Sequence, residues 1–160
     1  MHIGIIVYSQ TGNTLTVAQR MKETLEAAGH TAEIRPVTVE AIANPPAPVV
    51  FKDTPGFSGL DAVIFGAPVQ AFSLCRAMTQ YLKQIADING LPAACYVTQG
   101  LSKKWMGGNR AYDTMRKLCL AKGADPIRIG HVHWGAKERD KQIADTISGA
   151  LKFAATVKPA

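Results

Sequence analysis

Ile3-Gly4-Ile5-Ile6-Val7-Tyr8, followed directly by Ser9-Gln10-Thr11-Gly12-Asn13-Thr14, decides how this chain folds. The first six residues are a nearly continuous apolar run rich in β-branched side chains, the pattern of a strand buried on both faces of a parallel sheet. The next six are polar. They lead into Leu15, Ala18, Met21, Leu25 and Ala28, which recur at helical spacing until Gly29 stops the helix. The polar loop therefore lies between the carboxyl end of a buried strand and the amino end of a helix.

A helix amino end presents N–H groups without helical acceptors and a partial positive charge, so it suits an anion. Gly12 lets the backbone curl close to a bound group, and the hydroxyls of Ser9, Thr11 and Thr14 can donate to phosphate oxygens. The same residues also suit a plain helix cap, although three hydroxyls, a Gly and an Asn in six residues exceed what a cap requires. No Lys or Arg stands in the loop, so the triphosphate pattern GxxxxGK[ST] is absent; the dinucleotide pattern GxGxxG is absent too.

Further along, residues 31–37 alternate as a strand nearer an edge, and 61–66 repeat the buried-strand pattern. Leu74, Ala77, Met78, Tyr81, Leu82 and Ile85 then mark a helix, 93–98 a strand, and Ala111, Met115, Leu118 and Cys119 a helix closed by Gly123. Residues 127–134 give the last strand, and Ile143, Ala144, Ile147, Leu151 and Ala154 the last helix. Strands alternating with helices of this length imply a three-layer α/β fold, its five-stranded parallel sheet in the doubly wound order 2-1-3-4-5. The weak place is 38–60, where a crossover helix belongs. Only 39–43 has helical character before the prolines at 45, 46 and 48, so a shortened helix and a surface excursion are expected there.

The 160 residues, 47% of them hydrophobic and 19% charged, fit one globular domain over 1–160 with enough apolar material for its core. The formal net charge is +6, yet the Lys and Arg residues are scattered, with no basic run beyond Lys103-Lys104 and few aromatics among them. That argues against nucleic acid as a partner. Cys75, Cys95 and Cys119 form no CxxC and sit in apolar stretches, as buried reduced thiols do. Nothing resembles a signal peptide or a membrane span, so a soluble cytoplasmic protein is expected.

In the 2-1-3-4-5 order ligands bind where the winding reverses, between the first and third strands. Three loops converge there, after Tyr8, after Gly66 and after Thr98. Ser-Gln-Thr-Gly-Asn-Thr in the first of them resembles the FMN phosphate loop of the flavodoxin family, [ST]-x-T-G-x-T, and the βα order agrees with that family over nearly the whole chain. The resemblance implies a flavodoxin-like sandwich, with Ser9, Gln10, Thr11, Gly12, Asn13 and Thr14 around the phosphate of FMN. It implies that Pro68, Val69, Gln70, Ala71 and Phe72 lie along the isoalloxazine ring, Phe72 being the nearest aromatic to cover a face. It also implies that Thr98, Gln99 and Gly100 approach the pyrimidine edge through backbone groups.

The third loop departs from the family. The tyrosine that stacks on the ring in many flavodoxins is missing, and Trp105, in a stretch with three glycines and two lysines, is the available substitute. Well-known flavodoxins are acidic; this chain is basic, and Lys103 or Lys104 near the ring would raise the flavin potential. His131 and His133 share one face of a strand, the spacing of a metal pair or of ordinary strand-end histidines. Trp134 suits either the site or a core cap. No nucleophile–base pair stands out, so no catalytic side chain is assigned. Three functions remain open. One is an electron carrier serving a redox partner protein, another an NAD(P)H-dependent FMN/quinone-type oxidoreductase acting on a small acceptor, and the third a binding module of this fold without flavin.

Overall fold

A computed structural model describes residues 1–44, 46–100 and 106–159. In chain order its elements are β1 (His2–Val7), α1 (Asn13–Ala27), β2 (Thr31–Pro36), β3 (Thr38–Ile42), β4 (Val49–Asp53), β5 (Ala62–Gln70), β6 (Ser73–Leu74), α2 (Arg76–Gln84), β7 (Ala93–Gln99), α3 (Gly108–Leu120), β8 (Ile127–His133) and α4 (Arg139–Thr156). Strands β2-β1-β5-β7-β8 pair in parallel in that spatial order. Counted among themselves, they have the 2-1-3-4-5 order that the sequence implies.

Alternation along the strands builds two cores. Ile3, Ile5, Ile64 and Tyr96 face α1 and α4, where Val17, Met21, Leu25 and Phe153 meet them. Ile6, Val63, Phe65 and Val97 face α2 and α3, against Met78, Tyr81, Leu82 and Met115. The large apolar side chains named are buried, and each such side chain contributes about 1.5–3 kcal/mol of transfer free energy. Both faces of the central strands are covered, which explains why their sequences are continuous apolar runs. Cys75, Cys95 and Cys119 are buried free thiols in the second core. Burial pushes Cys75 and Cys119 up to about 12, so both remain protonated and inert at neutral pH.

The structure corrects the reading of 38–60. Instead of a shortened helix, β3 and β4 form an antiparallel ribbon, with Val39 opposite Phe51 and Ile42 opposite Val49. The period in β4 is two: Val49 and Phe51 turn inward while Val50 and Lys52 are exposed. The ribbon thus takes the place of a crossover helix beside α2. The Arg76 guanidinium pins it by donating to the carbonyls of Ala43 and Ala47.

The loop after Gly66 also differs from expectation. β5 runs on through Ala67-Pro68 to Gln70 and folds back at once, Val69 pairing with Leu74 and Gln70 with Ser73. Ala71 and Phe72 form a two-residue turn with φ of 49° and 60°. Positive φ at both positions is the signature of a type I′ hairpin, which fits strand twist but ordinarily takes Asn-Gly.

Candidate functional site

The first loop is shaped by its glycine. Gly12 adopts φ 92°, and the space where a side chain would project from it is open. It turns the chain into α1, whose first N–H groups have no helical acceptors. Ser9 Oγ accepts one of them, the Leu15 N–H at 3.2 Å, and keeps its own hydrogen free to donate. The first turn carries no acidic side chain, so nothing there repels an anion.

Thr14 is held from beneath. Its hydroxyl lies 2.7 Å from that of Thr98, and the Tyr96 hydroxyl donates to the Thr14 carbonyl at 2.8 Å. Thr98 therefore directs its side chain to the loop at the amino end of α1, a contact beyond the backbone approach implied by resemblance. Tyr96 was not singled out in the sequence; the signal available was Gly66, which is its neighbour in the sheet register. A Cβ on Gly66 would come within 2.3–2.5 Å of the Tyr96 ring and hydroxyl, so the glycine makes room for that ring.

Gln10, Thr11, Asn13, Pro68, Val69, Gln70, Thr98, Gln99 and Gly100 together line a cleft of about 260 Å³. A second hollow of about 220 Å³, lined by Val69, Ala71, Phe72, Gln99, Gly100 and Met106, continues from it through the shared residues. The three loops singled out from the sequence are thus brought together along one groove. Gln70 donates across it to the side chain of Gln10. Phe72 is 60% exposed at the outer end, so it is not a core residue. Trp105, together with Lys103 and Lys104, lies outside the described residues.

No carboxylate lines either hollow among the described residues. The absence extends along the chain: residues 1–22, 62–86 and 88–112, which carry all three loops, contain no Asp or Glu. Such a groove suits an anionic, partly aromatic ligand. Hydroxyls and helix N–H groups stand at one end, and backbone with apolar side chains at the other.

The two histidines brace the third loop from behind. Their rings stack at 4.3 Å between centroids, and His131 Nε2 lies 2.8 Å from Gln99 Oε1. Arg128 donates to His131 Nδ1 at 2.9 Å, which fixes the tautomer as neutral with its hydrogen on Nε2, donated to Gln99. Gly108 at the start of α3 lies so close that a Cβ would fall 1.8 Å from the His131 ring. The pair is therefore part of the packing between β7, β8 and α3. Trp134 packs on the α1/α4 core with the Arg139 guanidinium 5.4 Å from its ring centroid, which makes it a core cap. Its main-chain N–H donates to the Gln99 carbonyl at 2.7 Å.

Comparison with known proteins agrees with this architecture. The model of the flavodoxin domain matches residues 4–136. Flavodoxin 2 from Bacillus cereus, in its oxidised form, superposes with a TM-score of 0.69 at 16% identity, covering 97% of this chain and 99% of that one. A flavodoxin from the domain Archaea gives 0.67 at 15% identity over 98% and 99% of the two chains. A cysteine-to-alanine mutant of flavodoxin from Pseudomonas aeruginosa gives 0.63 at 19% identity, again over 98% and 99%. No curated protein matches the chain. At these identities the structural likeness speaks for the fold, and the domain match over most of the length supplies the kinship: the chain belongs to the flavodoxin family.

Proposed function

We propose that this protein binds FMN in the groove and works as an electron-transfer flavoprotein. The observation that carries the reading is the convergence of the α1 amino end with two ring-side loops in one cleft whose described lining residues include hydroxyls and no carboxylate. Ser9, Thr11, Gly12, Asn13 and Thr14 would hold the phosphate through N–H and O–H donors, with Gln10 and Gln70 bridging above it. Pro68, Val69, Gln70 and Ala71 would lie along one side of the ring, Thr98, Gln99 and Gly100 along its edge, and Phe72 over its exposed end. When bound, FMN would supply one- and two-electron redox chemistry. The chain's own part is to bind it, orient it and exclude water from all but its outer edge.

An absorbance spectrum of the purified protein, with mass identification of any released cofactor, tests this reading. A flavin spectrum and the mass of FMN are expected. No FMN bound after reconstitution at micromolar concentration overturns the proposal and favours a flavin-free binding module. The electron-transfer role, toward a redox partner protein, is tested with the same preparation. Sustained NAD(P)H oxidation with a quinone acceptor would replace the carrier with a reductase.

A further inference from the structure

Two residues of β7 act on a single residue of the phosphate loop. Tyr96 and Thr98 stand two apart on one strand and so project from the same face, toward α1. Tyr96 is fully buried and donates to the Thr14 backbone carbonyl at 2.8 Å, while Thr98, 2% exposed, meets the Thr14 hydroxyl at 2.7 Å. Thr14 is the second residue of α1 and is itself 1% exposed. Its main chain and its side chain are therefore both fixed from below. The Tyr96 ring reaches this position because Gly66 leaves the space for it.

We propose that Tyr96 and Thr98 are positioning residues for the phosphate end of the cleft, setting the orientation in which Thr14 meets a phosphomonoester. The inference rests on the FMN reading above and assigns the loop's supports. Two hydroxyls that share one hydrogen bond use one of their two hydrogens. The other hydrogen is left for a second acceptor, and where Thr98 is the donor of the shared bond that hydrogen belongs to Thr14 at the amino end of α1. The Tyr96 hydroxyl stays a donor throughout, since burial raises its pKa far above the ordinary phenol range. A support of this kind acts on the phosphate and leaves the ring-side contacts untouched.

Tyr96→Phe keeps the ring in the hollow beside Gly66 and removes only the hydroxyl; Thr98→Val removes the other. Each variant is titrated with FMN, with riboflavin, which has the same ring but no phosphate, and with inorganic phosphate. The FMN dissociation constant should rise about 3- to 10-fold, the worth of one well-placed hydrogen bond, while that for riboflavin changes less than about twofold. Equal weakening of both flavins, or of neither, overturns the proposal. If Tyr96→Phe fails to fold, Thr98→Val decides by the same criterion. Failure of the unmodified protein to bind either flavin would sink the FMN reading separately. Inorganic phosphate, followed by phosphorus NMR, then decides: binding weakened by the substitutions supports the positioning role, and binding indifferent to them, or none, overturns it.

Discussion

The two ends of the groove are built on opposite principles. The phosphate end is tied down by buried polar bonds that cross the fold, from Tyr96 and Thr98 on β7 to Thr14 on α1. The ring end is a tight turn in which Ala71 and Phe72 both hold positive φ, with Phe72 largely exposed and its backbone pressed against Gly107. At the first end, satisfied hydrogen bonds fix the geometry with little strain. At the second, strain is held locally, roughly 1–2 kcal/mol for each non-glycine residue in the left-handed region. Under the FMN reading proposed above, the first end would need donors fixed in direction and the second a surface that a partner can reach.

Three variants sharpen or break this contrast. The largest effect is expected at the tied-down end. Gly66→Ala drives a methyl into the Tyr96 ring and should lower the unfolding free energy by about 2–3 kcal/mol, as overpacking of a core does. Urea denaturation measures it, and a loss under about 0.5 kcal/mol would mean that the ring can move aside freely.

At the strained end the sign reverses. The double change Ala71→Asn/Phe72→Gly supplies the preferred type I′ pair and should stabilise the fold by about 1–2 kcal/mol. It also removes the aromatic cover, so FMN should bind more weakly, by the roughly 0.5–1.5 kcal/mol of an aromatic contact. Thermal melts of the flavin-free protein, paired with flavin titration, read both quantities. Destabilisation would show that the turn carries no releasable strain.

The smallest effect concerns charge. If Lys103 or Lys104 lies near the ring, Lys103→Gln/Lys104→Gln should lower the flavin potential by about 20–80 mV, the one-electron equivalent of a weak screened attraction. A redox titration with no change would remove these lysines from the account.

Much of this architecture was legible in the sequence. The runs 3–8, 61–66 and 93–98 identify central strands because burial on both faces leaves no polar alternation. The hexapeptide beginning at Ser9 marks, through composition and position together, one of the three loops that meet along the groove. The ribbon was missed because Val39, Val49 and Phe51 are the few inward residues of two short strands, separated by prolines that suggested a loop. The turn at Ala71-Phe72 was missed for a plainer reason: neither residue advertises positive φ as Asn-Gly would. Tyr96 was hidden because a buried tyrosine in a strand reads as core, and only its register opposite Gly66 shows where its hydroxyl goes.

The β3–β4 ribbon has one more consequence. A helix in that crossover would close its main-chain hydrogen bonds within itself. The ribbon closes them between its two strands, and it docks on the rest of the molecule through Val39, Phe51 and the grip of Arg76. It is therefore expected to open as a separate local unit while the five parallel strands stay intact. Amide hydrogen exchange should accordingly be faster within it than in β1, β5 and β7.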